Sequence, residues 1–118
     1  MLRRVARVIL YGSTTVATAL ALASCGGEPV PTAQMRSAAD AIARAQNDGA
    51  EQLAPQQLHT AQTKLANAHS QVASDHNSDA RRSAEQADAD ADYADALSNA
   101  QRLSHTAGQL EQLQQRMQ

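Results

Sequence analysis

The chain contains no phenylalanine and no tryptophan, and its only tyrosines are Tyr11 and Tyr93. Aromatic rings supply much of the buried area in most small cores, so a domain made from this sequence must be held together by something else. Cysteine occurs once, at Cys25. That excludes an internal disulfide and any multi-cysteine zinc site. Glycine is scarce, and Gly26-Gly27 sit beside prolines rather than in a loop that could cradle phosphates. Basic residues thin out after the first seven positions. Residues 25–118 hold seven Lys and Arg against twelve Asp and Glu, a formal charge of −5. Nucleic-acid backbones and anionic membrane surfaces select the opposite sign. Long apolar runs are absent apart from the uncharged stretch Val8–Ala23. Gly12, Ser13, Thr14, Thr15 and Thr18 make that stretch weak for a spanning helix, which needs about 20 apolar residues.

That stretch makes better sense with its flanks. Arg3, Arg4 and Arg7 precede it and small residues follow it, the layout of a secretory signal. Leu22-Ala23-Ser24-Cys25 resembles the bacterial lipobox. The resemblance implies that the Cys25 thiol is joined to diacylglycerol and that residues 1–24 are removed before Cys25. A thioether would end the oxidation hazard of a lone exported thiol. Two or three acyl chains also hold a membrane far better than one, which binds only marginally. Gly26 stands where Asp would direct retention in the inner membrane of enteric-type bacteria. The expected address is therefore the outer membrane, facing the periplasm. Residues 25–31, Cys-Gly-Gly-Glu-Pro-Val-Pro, read as the lipidated N-terminus and a flexible tether, because Pro29 and Pro31 forbid regular helix.

From residue 32 to 118 the pattern is helical throughout. Met35, Ala38, Ile42 and Ala45 recur at three and four, one face of a helix, which predicts a first helix over 32–48 with Thr32 as its cap. Asn47-Asp48-Gly49 is a stop signal. Pro55 suits the first turn of a second helix, expected over 55–76. Its seam is Leu58, Ala61, Leu65, Ala68 and Val72. A third helix, capped by Ser78 or Asp79, is expected over 78–116, about 58 Å long. It carries an alanine stripe at Ala80, Ala84, Ala87, Ala91 and Ala94. Leu97 continues that stripe, drifting toward Leu103, Leu110, Leu113 and Met117. The fold class is all-α: a small antiparallel three-helix bundle or helical hairpin with a long third helix. The shorter helices cannot cover that helix along its whole length, so Leu103, Leu110 and Met117 form the candidate interaction surface.

Other residue types give less. Asp88, Asp92 and Asp95 lie on one helix face. They suggest either a solvated face or a weak cation site aided by a histidine. Arg81 and Glu85 form a plausible i,i+4 pair. His59, His69, His76 and His105 match no metal pattern and read as surface residues. Tyr93 reads as a ring packed over a thin spot in the core. The serines lack a nucleophile setting, so no enzyme and no cofactor is expected.

The runs Pro-Thr-Ala-Gln-Met (31–35), Ala-Ile-Ala-Arg-Ala (41–45), Ala-Pro-Gln-Gln-Leu (54–58), Ala-Gln-Thr-Lys-Leu-Ala-Asn-Ala (61–68) and Arg-Arg-Ser-Ala-Glu-Gln-Ala-Asp-Ala-Asp-Ala (81–91) resemble the DUF4398 family of proteobacterial envelope proteins, over roughly Pro31–Leu103. Members occur as short lipoproteins or joined to an OmpA-like peptidoglycan-binding domain. The resemblance implies a location and an architecture. It transfers no functional residue, and no OmpA-like segment stands in this sequence. The expected function is a lipid-anchored, non-enzymatic module that docks itself or another envelope protein, with membrane contact through Cys25. It is expected to take no nucleic acid and no small-molecule substrate. The alternatives are weak cation binding on the acidic face and a passive periplasmic spacer.

Overall fold

A computed structural model describes residues 26–118; the signal segment and Cys25 lie outside the described residues. Four helices follow in order: α1 (Thr32–Asn47), α2 (Ala50–Leu53), α3 (Pro55–Ala73) and α4 (Asn77–Arg116). No strand occurs among the described residues. The three long helices run up, down and up, with α1 and α4 parallel and α3 antiparallel to both. The α3–α4 and α1–α4 interfaces are the largest, so α4 is the spine on which the others lie. The three expected helices are all present with ends shifted by a few residues. The single turn α2 is an addition, placed where the chain crosses from α1 to α3.

The core is made almost wholly of alanine. Ala38, Ala41 and Ala45 of α1, Ala61 and Ala68 of α3, and Ala80, Ala84, Ala87, Ala91 and Ala94 of α4 are buried. Among the described residues Ser98 is the largest side chain that is completely buried, and its hydroxyl donates to the Ala94 carbonyl at 2.7 Å. Side chains this small let helix axes come close, so that backbone and Cβ atoms supply most of the dispersion contact. Ile42 and Leu58 are the larger exceptions, packed where α1, α2, α3 and α4 meet, with Leu65 and Leu97 at the margin of the cluster. A second cluster joins Ala68, Ala80 and Ala84 to Met35 and Val72 nearer the tether.

The helix ends depart from expectation in instructive ways. Thr32 is not a cap. Pro31 holds that position, and the Thr32 hydroxyl turns back to the Val30 carbonyl at 3.4 Å. Ser78 and Asp79 lie inside α4, whose first residue follows His76, and no side chain caps it. Asp79 instead accepts from Arg82 at 2.8 Å, one turn on. α1 stops because Gly49 takes a left-handed conformation, φ 86°, which costs glycine nothing. α3 stops the same way at Asp75, φ 59°. The His76 N–H then reaches the Gln71 carbonyl at 2.8 Å, closing a Schellman turn.

Tyr93 does not pack over the core. It is 58% exposed. Two residues beyond Ala91 carries it about 200° round the helix, onto the outer face, and the alanine interface leaves no gap for a ring. Arg81 does not pair with Glu85. Its guanidinium meets the Glu28 carboxylate at 2.5 Å. The Asn77 side chain also donates to the Glu28 backbone carbonyl at 2.6 Å. The tether is thus fastened to the start of α4 by Glu28, and Pro31 is buried, which leaves Gly26 and Gly27 as its open part.

Candidate functional site: the uncovered end of α4

α4 is 40 residues long and α3 only 19. Both start or end at the Ser74–His76 turn, so α3 covers about the first half of α4. α1 reaches its end at Asp48, near Arg102, whose guanidinium lies 3.8 Å from the Asp48 carboxylate. Beyond Arg102, α4 continues alone. Along this free end Leu103 is 72% exposed, Leu110 62%, Leu113 52% and Met117 82%. Four large apolar side chains on one uncovered helix stand out in a molecule whose core is alanine.

Their phase differs from the expected one. The buried stripe runs Ala80, Ala84, Ala87, Ala91, Ala94, Ser98. At about 100° per residue its continuation would be Gln101, His105 and Gly108. The leucines sit roughly a third of a turn away. They continue instead the flank of α4 that faces α1: Asp88, Asp92, Asp95, Asn99, Leu103, Thr106, Leu110, Leu113 and Met117, spaced at three and four throughout. The drift expected from Leu97 toward Leu103 is therefore absent. Leu97 packs on the core cluster with Leu65, while the leucine seam extends the track on which α1 lies.

The acidic face has a structural use on that track. Ser37 donates to Asp88 at 3.1 Å, and Arg44 pairs with Asp92 at 3.0 Å. Asp95 stands against Asp48 and accepts from Asn99 at 3.1 Å. These carboxylates line the side of α4 on which α1 lies, with Asp92 still largely open to solvent. On the other flank, Lys64 pairs with Asp90 at 2.5 Å and Ser83 donates to Gln71 at 2.8 Å, tying α3 to α4. The exposed Arg44–Asp92 pair contributes little to stability, while the α3–α4 contacts are half-buried; together they set the rotation of α4 against its neighbours.

The hydrogen-bonding contact with Asp48 raises the pKa of Asp95 above its ordinary value, helped by partial burial and the charge on Asp48, while Arg44 and Asn99 oppose the shift. A carboxyl whose folded pKa is raised penalises folding when ionised, and the penalty is relieved as pH falls through that pKa. Asp95→Asn should therefore melt higher than the parent at pH 7. The two should converge below about pH 3, where residue 95 is uncharged in both proteins. Thermal melts between those limits check this; a variant that melts lower at pH 7 would mean the pair is not repulsive.

His59, His69, His76 and His105 are all exposed. Among the described residues no three metal-capable side chains converge. No described helix is long and apolar enough to cross a membrane. A shallow apolar groove lies at the tether end, between Val30, Met35, His69 and Val72, on the opposite end of the bundle from the leucine seam. Cys25, the lipidation candidate, lies outside the described residues.

A family model for a domain of unknown function, DUF4398, matches residues 33–115, more than two thirds of the chain. The chain belongs to the DUF4398 family. The match begins inside α1 and runs almost to the end of α4, so in this DUF4398 protein Leu103, Leu110 and Leu113 of the uncovered seam fall within the matched domain and Met117 just beyond it. No curated protein and no solved structure matches the chain.

Proposed function

We propose that this DUF4398 protein is a non-enzymatic, lipid-anchored interaction module of the bacterial envelope, held to the outer membrane through Cys25 and docking a helix on the free end of α4. The observation that carries the reading is the exposure of Leu103, Leu110, Leu113 and Met117 beyond the last residue of α1. Burying such a seam would gain about 25 cal/mol for each Å² removed from water. Leaving it open gains nothing for a monomer. The geometry also suits an anchor at Cys25. The tether reaches the start of α1 beside the first turn of α4, so the leucine seam projects from the far end, away from the attachment point. Cation binding is less well supported, because Asp88 and Asp92 already serve Ser37 and Arg44.

The test is made on the full-length chain in its own envelope. A photo-crosslinking residue at Leu110 should yield a discrete adduct, whereas one at Gln62, exposed on α3, should not. Cys25→Ser should move the protein from the membrane to the soluble fraction and abolish incorporation of labelled palmitate. Absence of an adduct at Leu110 would leave the passive spacer. Retention of membrane binding and label by the Cys25 variant would end the lipid-anchor reading.

A further inference from the structure

Resting on the reading of the seam as a docking surface, we infer that its occupant is the free end of α4 from a second copy, packed antiparallel. The first argument is steric. The seam and α1 lie on one track along α4, with α1 occupying the part opposite Asp88 to Asp95 and the seam the part from Asn99 onward. A helix seated on the seam meets the end of α1 head on. A second α4 running parallel and in register would have to continue through the space that α1 fills. A second α4 running the other way does not: its C-terminal end stops near Asn99, and its own bundle lies beyond Met117 of the first copy.

The second argument is length. Asn99 to Met117 spans about 27 Å of helix. The second copy offers a seam of the same length, so one two-fold operation covers both and leaves no part of either open. Such a contact is isologous and closes at two. In the register that does this, Leu103 meets Leu113 of the second copy, Thr106 meets Leu110, and Asn99 meets Met117, each layer occurring twice.

The third argument is charge. The Asp48 and Asp95 carboxylates stand together at the foot of the seam with Arg102 at 3.8 Å from Asp48. Arg44 beside them pairs with Asp92. In the antiparallel register Arg116 of the second copy falls level with Ala100, between Asp95 and Arg102. It supplies a second guanidinium for the two carboxylates, and the same happens at the other end. Between these poles the flanking positions are Ala107, Gln109 and Gln114, so no like charges are opposed along the middle of the contact. Four apolar side chains from each copy make an interface at or below the small end of stable complexes, about 1,200 Å². The dimer is therefore concentration-dependent, and co-anchoring in a membrane favours it by raising the effective concentration.

The experiment is disulfide trapping of full-length chains in oxidised membranes. One copy carries Thr106→Cys and a differently sized copy carries Leu110→Cys. The antiparallel pair brings 106 of one copy opposite 110 of the other, within the short Cα separation a disulfide tolerates. The mixed membranes should give a 106–110 heterodimer at about tenfold the yield of either single variant alone, and Arg116→Glu should reduce that yield severalfold. A strong 110–110 homodimer with no mixed product would overturn the antiparallel arrangement while leaving the docking surface intact. No disulfide in any combination, together with a Leu110 photo-adduct of a size that excludes a second copy, would overturn self-association and keep the docking reading. No disulfide and no photo-adduct would remove both.

Discussion

Ala91→Leu is expected to remove more than half of the domain's stability, while Ala89→Leu, two residues away, is expected to leave it almost unchanged. Ala91 is fully buried in the cluster formed with Ala41, Ile42, Ala45, Ala50, Ala54, Leu58, Ala61 and Ala94. Ala89 is exposed. Overpacking by a few methylene groups costs about 1–3 kcal/mol in an ordinary core, where neighbouring side chains can change rotamer. Most neighbours of Ala91 are alanines, which have no rotamer to change. The three added carbons must therefore move whole helices, and the cost should reach or exceed the top of that range. Small domains are stable by only about 5 kcal/mol or somewhat more. At about 4–8 °C per kcal/mol for a domain of this size, the midpoint should fall by about 15 °C or more. Circular dichroism melts of the two variants measure this. A shift of only a couple of degrees for Ala91→Leu would mean the helices are not in alanine contact at that layer.

That expectation rests on features the sequence displays openly, and the features it conceals share one physical character. The alanine stripe from Ala80 to Ala94 is a local periodicity, and so are the stop at Gly49 and the proline start at Pro55. Each can be read from neighbours within one or two turns. The partners of charged groups cannot. Arg81 has Glu85 one turn away, yet it pairs with Glu28 because the chain brings the tether back over the start of α4. Asp88, Asp92 and Asp95 can be placed on one face by counting, but that α1 supplies Ser37, Arg44 and Asp48 against them depends on which way α1 runs. Tyr93, beside the alanine seam in sequence, reads as a ring over a thin spot in the core, although a step of two from Ala91 already puts it on the far side. The leucine seam lies between these cases. Leu103, Leu110 and Met117 were legible as uncovered from helix lengths alone. Their phase was also legible, by counting back in threes and fours from Met117 to Asp88, but only the position of α1 shows that this flank is the track of another helix. Cys25 remains a matter of motif, since its surroundings are outside the described residues.

Leu58→Ala should cost about 2–5 kcal/mol, with a fall in melting midpoint of about 10–25 °C, whereas Leu110→Ala should leave the melting of the monomer unchanged. Leu58 is 3% exposed and sits at the junction of α1, α2, α3 and α4. With Ile42 it contributes most of what the core has beyond alanine, so its removal opens a cavity that alanine neighbours are too short to fill. Leu110 is 62% exposed and lies on α4 beyond the reach of α1 and α3. The same deletion of three carbons is thus a stability mutation at one position and a binding mutation at the other. Thermal melts at low protein concentration, set beside cross-linking in membranes, separate the two. Leu58→Ala should lower the melt and reduce cross-linking only in proportion to the folded fraction. Leu110→Ala should reduce cross-linking at an unchanged melt. If Leu110→Ala lowered the monomer's melt as Leu58→Ala does, the free end of α4 would have to fold back on its own bundle, and the seam would belong to the core rather than to a partner.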